Sequence, residues 1–444
     1  MSEKDLKLAF ETIKAKNLPY SELFAYYDGN QPLVYTAKRL HDIFKDLDAY
    51  FAENWCSVVI DAEQDRINLR DIQVSGANKN LWRELYESSQ IFLESDDVHE
   101  AALVTGEGYF IAWMDEQTKM AQGYHNDPRL VHLFYEASNP RVKKFAAKMW
   151  VNDDERMSMT LYYADHLEYY ETTNKAKEVQ SVSAFVPAKT PTAPNPYQEI
   201  PVFHYRLGRR TPKSDLKNTI PIQNGINKLL TDMMVTAEYM AFPQRYIISN
   251  AEVKGKVKNA PNEILDLPAG DGMGQQTAVG QFEAAKLENY ISSIDSLATA
   301  VSSITRTPKH YFFQVGSNLS GEALIAMESP LNKKAQDRID RFQPVWKDVA
   351  RFMLKVNGQT VDPKEVSAMF DKPETIQPRT TAETRQMNVN AGMSLTTVFR
   401  EEGKSEEWIA QALKDIEADN KRKQSNIANA MLEAERRFND GGAV

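Results

Sequence analysis

The chain has 444 residues, 42% of them hydrophobic and 26% charged, which exceeds what one ordinary core supports and predicts two or three folding units. Its net charge of −9 argues against tight, static binding to nucleic acid, which depends on Lys and Arg neutralising phosphates. No stretch approaches the roughly 18–20 uninterrupted apolar residues of a membrane span, MSEKDLKLAF lacks the apolar core of a secretory signal, and a single cysteine, Cys56, forms no internal disulfide, which fits a reducing cytoplasm.

Leu6, Phe10 and Ile13 predict a helix over 3–16. Asp28-Gly29-Asn30 marks a turn. Leu40, Phe44, Leu47 and Phe51 predict a helix over 36–53. Val58, Val59 and Ile60 read as a short strand ending at Asp61. Cys56, within WCSVVI, reads as a buried core thiol, since no His lies nearby in sequence to make thiolate. Leu81, Leu85 and Phe92 predict a helix over 79–94, and 104–113 reads as a strand interrupted by Gly106 and Gly108. Alternation over 129–170 predicts several strands, ending in an aromatic hairpin or meander around Tyr169 and Tyr170. Five prolines fall in the eighteen residues from Ala184 to Pro201, which reads as an extended loop or linker.

Beyond that point the character turns helical. Pro221 suits a first helical position, and Ile222, Ile226, Leu229, Met233, Ala237 and Met240 predict a helix over about 221–242. Tyr246 to Ile248 is a short strand. Residues 250–280 carry Lys254, Lys256 and Lys258, a strand-like ILDL and the turn PAGDGMG. Phe282, Leu287, Ile291, Ile294, Leu297, Val301 and Ile304 predict a helix over 281–304. At about 1.5 Å per residue each helix is roughly 30–36 Å long. Two rods thus run out and back with a compact module at the far end. A polar and aromatic loop follows over 305–320, then a helix over about 320–356 slowed by Pro330 and Pro344. A helical tail rich in Glu, Lys and Ala spans 380–440 and frays at Asp440-Gly441-Gly442.

Motifs for chemistry are sparse. No G-x-x-x-x-G-K-[ST] is present, so no P-loop ATPase site is expected. Gly270, Gly272 and Gly274 follow ILDL, but the dinucleotide fingerprint needs a further glycine where Thr277 stands, so a turn is the plainer reading. Asp61, Glu63 and Asp65 alternate as cation ligands do, yet lack the rest of a calcium loop, and read as a solvated turn. His125 and His132 are separated by Asp127-Pro128, so a shared metal-binding face is not expected. No G-x-S-x-G or H-E-x-x-H occurs. Arg206, Arg209, Arg210 and Lys213 read as a solvated loop facing acidic neighbours, with phosphate contact as the alternative, and Lys254, Lys256 and Lys258 read likewise.

Several strings resemble, in order, the portal (head–tail connector) family of tailed bacteriophages in its siphophage branch. They are LFAYYDGNQP (Tyr26, Tyr27, Asp28, Gly29), ENWCSVVIDAEQDRI (Asn54, Trp55, Val58, Val59, Asp61), ALVTGEGYFIAW and TLYYADHLEYY. Two more follow: IPVFHYR with SDLKNTIPIQNGINKLLTDMM (Asn227), and SGEALIAMESPLNKKAQDRIDRFQPVW (Ser320, Gly321, Ala323, Leu324, Glu328, Leu331). The resemblance covers about 20–400.

It implies an α+β phage portal fold. Residues 1–215 would form an α/β wing, 216–242 and 281–304 long stem helices, 243–280 a small β-containing clip and 305–320 a tunnel loop. Residues 321–379 would be a wing-crossing helix and connection, and 380–444 a helical crown and flexible tail. The implied role is structural, not enzymatic, and uses no cofactor. Copies would form a ring, usually of twelve, at one capsid vertex for packaging and ejection of double-stranded DNA. The implied partners are other copies, the terminase large subunit, a head-completion or adaptor protein, major capsid and scaffolding proteins and transient duplex DNA, with no membrane. The implied location is the virion, and the host cytoplasm during assembly. ATP hydrolysis would reside in another chain, and a net negative charge suits a channel in which strong attraction is a brake. In the tunnel loop, Lys309, His310, Phe312, Phe313 and Gln314 would lie near DNA. Lys309 would make transient phosphate contacts, while Phe312 and Phe313 serve equally well as anchors that pack. Lys254, Lys256 and Lys258 would dock partners. Two other readings stay open here: another capsid-associated protein (minor head or adaptor), and a cytoplasmic enzyme with a carboxylate site that the sequence does not mark.

Overall fold

A computed structural model of the chain describes residues 3–32, 53–208, 211–240, 245–248, 278–281, 286–312, 321–374, 378–402, 404 and 406–440. Residues 36–52 of the helix expected over 36–53, the glycines 270–274 and the lysines 254, 256 and 258 lie outside the described residues. The fold is α+β, in two compact units, Met1–Phe370 and Asp371–Val444.

The first unit opens with α1 (Glu3–Tyr27), which runs past the expected end at 16 and contains Pro19. Its buried face, Leu6, Ala9, Phe10 and Ile13, packs on Phe145, Met159, Leu161 and Tyr170 of a five-stranded sheet. That burial outweighs the hydrogen bond that Pro19 removes.

Residues 58–60 are not a strand. They lie in α2 (Trp55–Gln64), capped by Asn54, whose side chain accepts from the Ser57 amide at 3.3 Å. Trp55, Cys56, Val59, Ile60, Ala62 and Glu63 are all buried along this helix. A short apolar run fits either a strand or a buried helix, and burial on helical spacing decided for the helix.

Strand β1 (Leu69–Val74) pairs antiparallel with a strand from far along the chain, β12 (Val366–Phe370), in the region expected to be a connection. The helix expected over 79–94 is two helices, α3 (Lys79–Ser88) and α4 (Ile91–Thr105), broken at Gln90, whose φ is +48°. The next strand begins later than expected because α4 persists to Thr105 and stops at Gly106, with φ +94°. A Cβ at Gly106 would meet the Lys213 backbone nitrogen at 2.4 Å, so only glycine fits there.

Strand β2 (Glu107–Met114) is central in a three-stranded sheet between β3 (Ala121–Asn126) and β9 (Val202–Arg206). The five-stranded sheet is a meander of β4 (Val131–Tyr135), β5 (Lys143–Val151), β6 (Arg156–Tyr162), β7 (His166–Lys175) and β8 (Phe185–Pro194). The proline-rich segment is therefore largely strand, not loop. It is tolerated because β8 lies at the sheet edge, pairing only with β7 (Pro187 opposite Tyr170, Pro194 opposite His166), so missing amides need face no second neighbour.

Helix α5 (Ile220–Met240) and helix α6 (Glu288–Thr305) pack on each other, and β10 (Arg245–Ile248) pairs antiparallel with β11 (Ala278–Gln281) between them. The return helix starts later than the expected 281 because Gln281 still belongs to β11. Helix α7 (Gly321–Val356) continues through Pro330 and Pro344. Its Phe342, Trp346, Val349, Phe352 and Met353 fill the main core against Val98 and Ala102 of α4, Phe110 of β2 and Phe203 and Tyr205 of β9. Each such side chain contributes roughly 1.5–3 kcal/mol on burial.

The second unit, expected as one helical tail, holds α8 (Pro378–Asn390), α9 (Leu395–Glu401) and α10 (Glu406–Asp440). Gly392, at φ +97°, makes the first break. Arg385 grips Glu402 with two hydrogen bonds of 2.8 Å, and Phe399 meets Trp408 with ring centroids 5.2 Å apart.

Candidate functional site

The residues that position the site begin on α2. Trp55 and Val59 pack with Ile226 of α5 and with Ile294, Ala298 and Val301 of α6. Polar groups fasten the same joint. The Trp55 amide donates to Gln223 Oε1 at 2.8 Å, and Gln223 Nε2 donates to the Glu53 carbonyl at 2.7 Å and to Asn227 Oδ1 at 3.0 Å. Asn227 Oδ1 also accepts from the Glu53 amide at 3.1 Å. The asparagine of the family-like helix is thus a buried bracket between α5 and the start of α2. Farther along, Thr236 and Tyr290 join α5 to α6 through their hydroxyls at 3.1 Å.

Helix α6 ends at Thr305, and Arg306 takes a left-handed conformation at φ +63°, which turns the chain sharply. Thr305 Oγ1 donates to the Val301 carbonyl at 2.7 Å and accepts from the Thr307 amide at 3.3 Å, so this turn is satisfied internally. Pro308 leads into a single 3₁₀ turn, Lys309–Tyr311.

Of the residues expected to face DNA, Lys309 and His310 fall on this turn and Phe312 directly follows it. Lys309 Nζ pairs with Asp295 at 2.8 Å, and the two side chains are 31% and 45% exposed. A pair so open to water holds its partners weakly and exchanges them easily. His310 Nε2 lies 3.7 Å from Glu328 Oε1 on α7. Phe312 packs on Trp55 with ring centroids 5.4 Å apart. Phe313 and Gln314 lie outside the described residues.

A charge cluster that the sequence did not mark joins α2 to α7. Glu63, expected in a solvated turn, is 0% exposed and pairs with Lys334 at 2.6 Å and Arg338 at 2.9 Å. Asp215 lies 3.2 Å from Arg338 and 3.5 Å from Lys334. Burial pushes the Glu63 carboxyl up despite its two cations. Asp215 is less enclosed, at 15% exposed; against its partial burial, Lys334 and Arg338 hold it below the usual carboxylate range. Glu63 is not in a solvated turn because it faces inward on α2, and its cationic partners Lys334 and Arg338 stand on α7. Of the other two acids, Asp61 accepts from the Tyr27 hydroxyl at 2.9 Å and Asp65 closes α2.

A second buried cluster joins α1 to both sheets. Glu107 accepts from Lys16 and Tyr20 at 2.9 Å and from His204 Nε2 at 3.1 Å, and Tyr135 donates to His204 Nδ1 at 3.1 Å. Lys16 also approaches His132 Nδ1 at 3.3 Å. Against its burial, the hydrogen bond from His204 and the charge of Lys16 hold Glu107 far below the carboxylate range. Burial pushes His132 down to about 3 and lowers His204 as well. No spacing in the sequence pointed here, because the members come from four separate elements.

His125 and His132 stand on β3 and β4, in different sheets. Among the described residues no group of three or more His, Cys, Asp or Glu is placed to hold a metal ion. Cys56 is a buried core thiol, as expected, and burial pushes it up to about 12. Arg206 stacks over the Tyr135 ring at 4.6 Å, so its cation is engaged within the fold, while Lys213 is exposed. Arg209 and Arg210 lie outside the described residues. No described helix is long and apolar enough to cross a membrane.

Residues 13–425 match the family described as "Phage portal protein, SPP1 Gp6-like". Proteins named "Portal protein" from Mycobacterium phage L5 and Mycobacterium phage D29 are each 30% identical over 170 residues. Those matches cover 35% of this chain, and the chain spans 35% of the length of each relative. A solved structure described as "Neck of empty GTA particle computed with C6 symmetry" aligns over 86% of this chain and 98% of that chain, at 12% identity and a TM-score of 0.48.

Proposed function

The chain belongs to the SPP1 Gp6-like phage portal protein family, and on that premise we propose that it is one subunit of a ring at a single capsid vertex through which double-stranded DNA is packaged and later ejected. Residues 1–215 form the wing, α5 and α6 the stem, and 243–280 the clip. Residues 305–320 are the tunnel loop, α7 the helix that runs back across the wing, and 380–444 the crown. The ring has twelve copies, as is usual in the family the sequence resembles. A ring of identical chains needs two different complementary flanks on each copy and a rotation that closes. The terminase large subunit docks during packaging, a head-completion or adaptor protein docks afterwards, and the major capsid and scaffolding proteins surround the vertex. The chain works in the virion and is assembled in the host cytoplasm. Its role is mechanical and electrostatic, and ATP hydrolysis belongs to another chain.

One observation carries the reading. Two packed helices bracket an antiparallel β pairing, and the returning helix delivers Lys309 to Phe312 directly after its last turn. Lys309 then offers DNA a cation whose present partner is weakly held, and Phe312 keeps the turn seated while DNA passes. A net charge of −9 per chain disfavours the counterion release that drives tight binding, which suits sliding.

Negative-stain microscopy of the purified protein tests the reading. A ring with a central hole wide enough for a duplex supports it. A compact monomer or dimer contradicts it and returns the chain to the minor head, adaptor or enzyme alternatives. In assembled particles, Lys309→Glu alters DNA packaging or retention without preventing ring assembly; unaltered DNA length and retention count against the loop's role.

A further inference from the structure

We propose that Arg66 is a positioning residue that ties the chain entering residues 313–320 to the helix that leaves them. The clamp is a property of the single chain; that it serves a DNA-facing loop rests on the portal reading above.

Arg66 follows α2 and directs its guanidinium three ways. Toward the entering chain, Nη2 donates to the Tyr311 hydroxyl at 2.9 Å, and the guanidinium carbon lies 5.8 Å from the Tyr311 ring centroid. Toward the leaving helix, Nε donates to Asn332 Oδ1 at 2.9 Å and Nη2 pairs with Glu328 Oε2 at 3.4 Å, one turn apart on α7. Toward its own helix, Nη1 donates to the Ala62 carbonyl at 2.8 Å, one of the last-turn carbonyls that the helix leaves unbonded. His310, beside Tyr311, has its Nε2 3.7 Å from Glu328 Oε1, beyond hydrogen-bonding distance, so Arg66 makes the direct contacts.

Arg66 and Glu328 are only 12% and 13% exposed, so water does not substitute cheaply for these bonds. The contacts radiate from a planar fork, and the single point charge of lysine does not reproduce them. The base of the clamp is itself fixed, since Gln223 and Asn227 hold the other end of α2 against α5. Moving the entering chain relative to α7 therefore requires breaking the Arg66 contacts.

Amide hydrogen exchange on the full-length protein tests this. The Tyr311 and Phe312 amides donate to the Pro308 and Lys309 carbonyls at 3.1 and 3.0 Å and report the entering side; the α7 amides up to Asn332 report the leaving side. Arg66→Ala speeds exchange at both roughly tenfold, as expected for losing charged hydrogen bonds, and leaves β5 unchanged. Tyr311→Phe, which deletes one hydroxyl, gives about a threefold rise at the entering side. Arg66→Lys does not restore protection. Unchanged exchange in both Arg66→Ala and Tyr311→Phe overturns the clamp, as does full protection in Arg66→Lys. Particles carrying Arg66→Ala package or retain less DNA if the clamp serves the channel. Faster exchange with normal DNA in both the Arg66→Ala and Lys309→Glu particles leaves the clamp standing and overturns its assignment to a DNA-facing loop.

Discussion

Trp55 and Phe312 meet with ring centroids 5.4 Å apart and planes tilted by 45°, so the residue that follows the 3₁₀ turn is seated on the first residue of α2. Trp55 is buried and Phe312 half-buried. The contact links the helix pair, the α2 joint and the 3₁₀ turn in one small apolar cluster.

The two rings differ in what their loss removes. Trp55→Ala empties a buried site and costs about 3–5 kcal/mol, whereas Phe312→Ala costs no more than about half of that because its ring is partly in water already. Thermal unfolding midpoints of the two variants check the order. Equal midpoints, or a larger loss for Phe312→Ala, contradict the packing described here.

The Glu63, Lys334, Arg338 and Asp215 cluster sets two carboxyl groups against two cations. Glu63→Ala leaves an excess of buried positive charge and destabilises by about 3–5 kcal/mol, while replacing Glu63 and Lys334 together by methionine recovers at least half of that. Denaturant midpoints distinguish the two cases. A double variant as weak as the single one refutes the pairing.

The cluster around Glu107 makes stability fall in acid. His132 and His204 are lowered by burial, so below about pH 6.5 the unfolded chain binds protons that the folded chain refuses, and stability declines down toward the folded value, about 3 for His132. Glu107 is depressed, so its contribution is complete above the ordinary carboxylate value and is lost as pH falls through its lower folded value. The unfolding midpoint of the wild type is expected to drop between pH 7 and 5, and His132→Phe to flatten that slope. An identical slope in the variant rules out His132 as a contributor.

A variant at Lys309 tests the proposed loop role apart from stability. Its exposed pair with Asp295 contributes at most about 1 kcal/mol, so Lys309→Gln leaves the unfolding midpoint nearly unchanged. The same variant weakens DNA retention in particles, and less so than Lys309→Glu. A large loss of stability in Lys309→Gln assigns Lys309 a structural role instead.

Much of this architecture was readable along the chain. Apolar spacing announced α5 and α6 because a helix packed on one side repeats at that period, and Ile226, Ile294 and Val301 are buried where it put them; Ile291 and Ile304 of the same expected stripe stand exposed, and Gln223 and Asn227 share the buried face of α5. The family-like strings and the buried Cys56 were legible for the same local reason. Val58 to Ile60 misled because a short apolar run satisfies a strand and a buried helix alike, and only the neighbours of Val59 on α5 and α6 distinguish them. The prolines of β8 misled because being at a sheet edge is a property of the sheet and not of the segment.

The groups that hold the candidate site together were hidden for a different reason. Arg66 reaches Tyr311 and Asn332 across 245 and 266 positions, and Arg338 reaches Glu63 across 275. Periodicity reports which face of an element is turned inward, but a charge is paired by whatever the completed packing brings within reach. Local pattern thus sufficed for the rods and their order, whereas the joints between them exist only once distant stretches of chain have met.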